Sequence, residues 1–213
     1  MKIGVLGAGR MAEGLVPLWL EAGHDVMIGG RTPGKAQALA EHVGARAGTL
    51  RDAAEFGDVI LLAVLYAGVD NTLEEAGAAD GTLAGKPLID VTNPVELEHY
   101  TLLTEPGTSL AEHIAAKTDA RVVKALNQVH FHVYQQRARY DGRPLVVPMA
   151  GDEEAKRVVA ALTRDAGADP LDAGGLEQAH HLEAMAAVII RVLYGGADPL
   201  TAFQLTTGAP DGA

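Results

Sequence analysis

Lys2-Ile3-Gly4-Val5-Leu6-Gly7-Ala8-Gly9-Arg10-Met11-Ala12 opens the chain with a short apolar run, a Gly-x-Gly-x-x-Ala turn and the start of an apolar helical pattern. Residues 3–6 read as a strand, 7–9 as a tight turn and Arg10 to Ala22 as a helix. Gly7 permits the turn and Gly9 lets a ligand approach the backbone. Ala12 allows close helix–strand packing where the stricter motif has Gly. A strand, a glycine turn and a helix N-terminus in that order suit a pyrophosphate, because free amides and the helix dipole both face the anion. In isolation such a turn also occurs as a plain structural bend.

The pattern outward from this stretch settles the context. Val26-Met27-Ile28 is a second strand, followed by Gly29-Gly30-Arg31-Thr32-Pro33-Gly34-Lys35 and a helix ending near Val43. A β-α-β-α opening predicts a parallel sheet with right-handed crossovers. Ala45–Ala47 is a weak strand and Leu50–Phe56 a short helix. Asp58–Val64 is continuously apolar after its first residue, as a strand covered on both faces should be. Tyr66–Ala79 reads as a helix, Lys86–Val91 as a strand, Val95–Thr108 as a loop over the site, Ser109–Lys117 as a helix and Arg121–Leu126 as a strand. The state of Gln128–Tyr140 is ambiguous. Pro144–Ala150 is strand-like, Glu153–Asp165 a helix, Asp169–Ala173 a short strand and Leu176–Tyr194 a long helix. The expected fold is a Rossmann-type, doubly wound α/β structure with a mostly parallel sheet. It divides into a dinucleotide-binding domain over 1–150 and a small C-terminal, largely helical part over 151–213. The final Ala-Pro-Asp-Gly-Ala reads as a frayed end.

Composition narrows the partners. The 213 residues carry 28 acidic and 17 basic side chains, a net charge of −11, which disfavours nucleic acid and anionic membrane surfaces. There is no cysteine, so disulfides, thiolate metal sites and a cysteine nucleophile are excluded. The N-terminus lacks a signal-peptide pattern and no stretch is long and apolar enough to span a bilayer, so a cytoplasmic setting is expected. The segment Met185–Leu193 is apolar nearly all round apart from Arg191 and predicts burial or packing on a second subunit, hence a homodimer.

The end of the second strand decides the cofactor. A site for NAD usually carries Asp or Glu there, on the ribose 2′-hydroxyl. Here Gly29-Gly30-Arg31-Thr32 offers no carboxylate. An arginine fork attracts a 2′-phosphate that a carboxylate would repel. Lys35 lies one helical turn on, with the Thr32 hydroxyl between, and the three read as a clamp for NADP.

Ligands of open α/β sheets sit beyond the carboxyl ends of the strands. That points to Val64, Leu65 and Tyr66, to Thr92-Asn93-Pro94, and to Asn127 with Gln128. The carboxamides of Asn93 and Asn127 suit a nicotinamide carboxamide or a substrate carbonyl; each equally suits a local turn hydrogen bond. Tyr66 is placed to stack on a nicotinamide or to cap the pocket. His130, near the pocket mouth, is a candidate for orienting substrate. His130 and His132 with His180 and His181 lack a nearby carboxylate pattern, so no metal site is expected. Glu183 and Arg191, two helical turns apart, read as a structural pair. No acid–base pair stands out, which fits direct hydride transfer between two rings, a reaction that needs positioning above all.

With these elements in place the sequence resembles the coenzyme F-420-dependent NADP oxidoreductases, the deazaflavin reductases. The resemblance rests on the Gly7-x-Gly9 turn, the Gly30-Arg31 to Lys35 segment and Val123-Lys124-Ala125-Leu126-Asn127. Its most specific carriers are Ala150-Gly151-Asp152-Glu153-Glu154-Ala155-Lys156 and Pro170-Leu171-Asp172-Ala173-Gly174. It implies a Rossmann domain with a small helical addition, a dimer, and hydride transfer between NADP and deazaflavin C5. It also implies that Gly9, Arg10 and Met11 contact the pyrophosphate, and Arg31 and Lys35 the 2′-phosphate. The chain departs from the family at Leu65, where members often carry Pro, and at Asn127, where some carry His. The Asp90–Pro94 and Lys124–Asn127 segments look more like a branch similar to the reductase domain of the membrane metalloreductases, which passes hydride to a flavin. The expected activity is therefore NADPH-dependent hydride transfer to a deazaflavin or a flavin. Reduction of a small imine, ketone or enone is an alternative, and a non-catalytic NADP-binding regulator is another.

Overall fold

A computed structural model describes residues 1–205; the expected frayed end at Ala209–Ala213 lies outside them. In chain order the elements are β1 (Lys2–Leu6), α1 (Arg10–Glu21), β2 (Asp25–Gly29), α2 (Pro33–Val43), β3 (Arg46–Gly48), α3 (Leu50–Phe56), β4 (Val59–Leu62), α4 (Val69–Glu75), β5 (Pro87–Asp90), α5 (Leu110–Thr118), β6 (Arg121–Lys124), α6 (Phe131–Gln135), β7 (Val146–Gly151), α7 (Glu153–Asp165), β8 (Asp169–Asp172) and α8 (Ala179–Tyr194). They form one eight-stranded sheet in the order β3-β2-β1-β4-β5-β6-β7-β8. Strands β1 to β6 are parallel, β7 is antiparallel to β6, and β8 is parallel to β7. This is the Rossmann-type doubly wound sheet, with the strand order reversing between β1 and β4.

Side-chain alternation explains the two cores. Along β4, Val59 and Leu61 join one buried cluster and Ile60 and Leu62 the other. The first cluster is covered by α1, α2, α6 and α7, with Trp19 of α1 donating its indole N–H to Leu162 O of α7 at 2.9 Å. The second is covered by α3, α4 and α5 and by Ala179 of α8. β7 runs across residues 150 and 151, so the C-terminal part extends the sheet of the first 150 residues.

The sequence expectations differ from the structure in three places. The helix expected over 66–79 is broken into a 3-10 turn at Tyr66–Gly68, α4, and a second 3-10 turn at Ala78–Asp80. Gly77 takes a left-handed conformation at φ 85° and stops α4 there. The ambiguous stretch after β6 contains only the short α6. The long helix expected from Leu176 begins with a 3-10 turn at Leu176–Gln178 before α8. Among the described residues nothing covers its outer face: Val188 is 51% and Tyr194 67% exposed. No described helix is long and apolar enough to cross a membrane.

Candidate active site

The turn after β1 uses its two glycines differently. Gly7 has φ +124°, and a Cβ there would stand 2.3 Å from Ala63 O at the end of β4. Glycine is required at 7 by the protein itself, whose strands converge there; Gly7 N also donates to Gly29 O at 2.8 Å. Gly9 has φ −108°, and an added Cβ would meet nothing nearer than Ala63 O at 3.8 Å. Internal packing does not demand glycine at 9. The open space lies before the first turn of α1, which has no side-chain cap and so keeps amides free for an anion. Arg10 is exposed at this mouth, with its guanidinium 5.4 Å from the Phe131 ring, and Met11 is half-buried beside it.

At the end of β2, Arg31, Thr32 and Lys35 are all exposed. Thr32 is the N-cap of α2, yet its hydroxyl makes no capping bond. The Arg31 guanidinium leans across the groove to the turn after β4, where a Cβ added to Gly68 would lie 3.5 Å from it. Among the described residues, Arg10, Arg31 and Lys35 form no ion pair. Uncompensated cations grouped in a strongly acidic chain favour a polyanionic ligand. The donor set, a guanidinium, an ammonium and a free hydroxyl, fits a phosphate monoester.

The ends of β4, β5 and β6 are next along the sheet. Val64 is half-buried, Leu65 is 86% exposed, and Tyr66 is partly exposed. Tyr66, Val69, Leu103, Thr104, Leu110 and His113 line a cleft of about 350 Å³, with the 95–108 loop as one wall. That loop is tied back on itself by Glu96 N to Thr101 O at 2.9 Å and Leu103 N to Pro94 O at 2.7 Å. Asn93 and Asn127 meet: Asn93 Nδ2 donates to Asn127 O at 2.8 Å, and Asn127 Nδ2 donates to Asn93 Oδ1 at 2.9 Å and to Leu182 O at 3.1 Å. Among the described residues the buried Asn127 Oδ1 has no donor. Leu126 just before it holds φ 62°, a strained conformation for a leucine, which turns the chain out of β6. Gln128 Nε2 donates to Pro148 O at 3.0 Å.

His130 sits at the start of α6 beside His132 and Arg10. Burial holds its imidazole below the usual histidine range, and His132 and Arg10 add to the effect. His180 is engaged with Glu177 O at 2.7 Å and packs on His181. The one metal-like grouping among the described residues is Glu96, Glu98 and His99 on the exposed loop, where Glu96 already accepts amides of Glu98 and His99.

Behind the asparagines lies a group that the sequence reading missed. Asp90 ends β5, Lys124 ends β6, Glu183 sits on α8, and all three are 0% exposed. Lys124 Nζ is 2.9 Å from Glu183 Oε1 and donates to Thr92 O at 2.9 Å. It also lies 2.6 Å from Asp90 Oδ2, off the direction of a hydrogen bond. Asp90 Oδ1 accepts from Thr92 N at 2.8 Å and Thr92 Oγ1 at 2.5 Å. Glu183 accepts Leu110 N at 3.0 Å, at the N-terminus of α5. Burial raises the Glu183 carboxyl above its usual range, against the pull of Lys124. The expected Glu183–Arg191 pairing is therefore wrong: Arg191 stands over the Tyr100 ring at 5.3 Å. The available signal was an ionisable residue inside each of two apolar strands, Leu88-Ile89-Asp90-Val91 and Val122-Val123-Lys124-Ala125.

Known proteins are similar to this chain in sequence and fold. Residues 2–94 match the family model described as NADP oxidoreductase, coenzyme F-420-dependent. A crystal structure of a candidate F-420-dependent NADP reductase from Arthrobacter sp. FB24 is 30% identical, aligned over 97% of this chain and 100% of that one, with a TM-score of 0.86. Metalloreductase STEAP3 of Rattus norvegicus is 33% identical over 186 residues, 86% of this chain and 36% of that protein. The chain spans 36% and 38% of the lengths of the curated relatives it matches. An imine reductase from Myxococcus stipitatus in complex with NADP+ shares the fold at 22% identity, over 92% of this chain and 62% of that one, with a TM-score of 0.66.

Proposed function

Because the chain belongs to the family of NADP oxidoreductases dependent on coenzyme F-420, we propose that it transfers hydride between NADP(H) and a deazaflavin of the F-420 type, as a cytoplasmic homodimer. The observation that carries the NADP half of this reading is the end of β2, where among the described residues Arg31, Thr32 and Lys35 are exposed without an ion-pair or capping partner and no carboxylate stands. They would hold the 2′-phosphate. Gly7 shapes the turn, Gly9 leaves room for the pyrophosphate, and Arg10 and Met11 flank it. Val64, Leu65 and Asn93 would border the nicotinamide half. NADPH supplies the hydride when bound, and this chain's residues bind, orient and shield it. Tyr66, Asn127 and His130 are the candidates to touch the reacting rings. His130, whose imidazole is biased toward the neutral form by burial and by His132 and Arg10, is placed to orient a substrate by hydrogen bonding.

The deazaflavin half is supported by the full-length likeness to the Arthrobacter protein. A flavin acceptor is the second reading, favoured by the likeness to the metalloreductase over most of this chain. The test is loss of NADPH absorbance with F-420, FMN, FAD and a panel of small imines, ketones and enones. Turnover with F-420 well above the rest is expected. Turnover with FMN or FAD alone selects the second reading. Binding of NADPH with no consumption against any acceptor leaves a binding module and sinks the enzymatic reading. The dimer is proposed through the bare apolar face of α8, with Val188, Val192 and Tyr194. A monomer-sized elution volume at micromolar concentration would count against it.

A further inference from the structure

The ends of β5 and β6 conceal a charge for which the proposed reaction has a use. Asp90, Lys124 and Glu183 are fully buried and, when all are ionised, sum to −1. Lys124 is the one base paired with either carboxylate among the described residues. The α5 amides that face Glu183 bring a fixed partial charge, at most about half a unit for a helix end, and do not cancel the excess. β7 also packs against α8, and its Val-Val-Pro-Met-Ala-Gly carries no charge. A buried carboxylate left in excess is costly unless it takes a proton or faces a cation. The triad is also tied to the asparagine pair. Lys124 donates to Thr92 O, next to Asn93, and Asn127 donates to Leu182 O, next to Glu183.

Loss of hydride carries two electrons and one proton from the nicotinamide ring to the acceptor and leaves the ring with one positive charge. We propose that the Asp90–Lys124–Glu183 triad holds a net negative charge behind the nicotinamide end of the site, so that oxidised cofactor binds more tightly than reduced and bound NADPH is a stronger hydride donor than NADPH in water. The inference rests on the NADP reading above. A triad that only fastened α8 to the sheet would serve both redox forms of the cofactor equally. A charged one distinguishes them, because a charge held in a low-dielectric interior beside the ring acts on its oxidised, cationic form.

Titration calorimetry of NADP+ and NADPH on the wild type, Glu183→Gln and Asp90→Asn at pH 8 and low salt tests this. In each variant the affinity for NADP+ should fall on the order of tenfold relative to that for NADPH. Both nucleotides bound with an unchanged ratio would overturn the proposal and leave the NADP reading standing. If neither nucleotide binds the wild type, the NADP reading itself fails, and the proposal with it. Should the variants not fold, the wild type still decides. In calorimetry at pH 8 and low salt the wild type should bind NADP+ more tightly than NADPH, because the buried triad meets the cationic ring alone. Equal affinities, or tighter binding of NADPH, taken with the unfolded variants, overturn the proposal.

Discussion

The two ends of the proposed site are built on opposite plans. At the ends of β1 and β2 the site is backbone, open space and exposed cations, all within the first 35 residues. At the ends of β5 and β6 it is made of buried side chains from three distant segments, meeting at Asp90, Asn93, Lys124, Asn127 and Glu183. Apart from Gly7, which is built into the sheet, the residues at the exposed end, Gly9, Arg10, Arg31, Thr32 and Lys35, lie at the surface, so they can be changed without disturbing the fold. The buried end joins β5, β6, α5 and α8, so a change there acts on stability and site together. Substitutions at Gly9 and the exposed cations should therefore move binding alone, and substitutions at the second end should move stability first.

The largest effect is expected for Lys124→Met. It leaves Asp90 and Glu183 facing each other at zero exposure without a counterion, and removal of one member of a buried ion network costs about 3–5 kcal/mol. Urea unfolding measures it, and the loss should shrink at lower pH as the carboxylates take protons. A loss of under about 1 kcal/mol, in the range of an exposed pair, would erase the contrast between the two ends. The next effect lies inside the exposed end and sharpens the contrast. Gly7→Ala should cost about 2 kcal/mol or more, because φ +124° and the 2.3 Å approach to Ala63 O both oppose a side chain. Gly9→Ala should change stability by less than about 0.5 kcal/mol and instead weaken NADPH binding on the order of tenfold. If both glycines behave alike, the space in front of Gly9 is not a ligand's.

The same contrast explains what the sequence made legible. The turn, the cation cluster and the alternation of strands and helices depend on residues within about one supersecondary unit, so spacing reveals them. Asn93 and Asn127 were also within reach, since topology alone brings the carboxyl ends of parallel strands together. The triad was not. Its members lie 34 and 59 positions apart, Asp90 to Lys124 and Lys124 to Glu183, and nothing local says that α8 returns to the ends of β5 and β6. Glu183 within an apolar helix read as one end of a structural pair because Arg191 lies two helical turns on. The break at Gly77 was readable as a glycine stop, but the helical pattern around it concealed it. The left-handed Leu126 carries no sequence signature at all, because its conformation is imposed by the packing around it.

A smaller effect is expected for Arg31→Ala. A hydrogen bond to a charged group contributes about 1.5–3 kcal/mol, so the preference for NADPH over NADH should fall about tenfold or more, with the thermal midpoint unchanged. An unchanged preference would remove the 2′-phosphate from the end of β2. A fall in stability of comparable size would show that this end, too, is woven into the fold.

The smallest effect is a slope with pH, and it separates the two kinds of carboxyl in the molecule. Asp70 and Asp172 are largely exposed and held below the usual range, Asp70 by His113 and Lys117 and Asp172 by Lys156. Groups of that kind add stability that is lost as pH falls. Glu183 has the opposite sign. Burial raises its folded value above the ordinary 4.5, so over the interval between the two values the folded chain holds a proton that the unfolded chain has released. Its contribution is complete below 4.5 and declines as pH rises through the folded value. Glu183→Gln removes this titration while keeping the shape of the side chain. The stability of wild type minus variant should therefore fall from pH 4.5 upward, because burial outweighs the opposing pull of Lys124 and the α5 amides on Glu183. Thermal midpoints of both proteins across this range measure the difference. A flat difference would mean that Glu183 stays ionised throughout and that Lys124 with the α5 amides offsets its burial in full. A difference that rises with pH would mean that Lys124 dominates, and the buried end would then behave like the surface carboxylates.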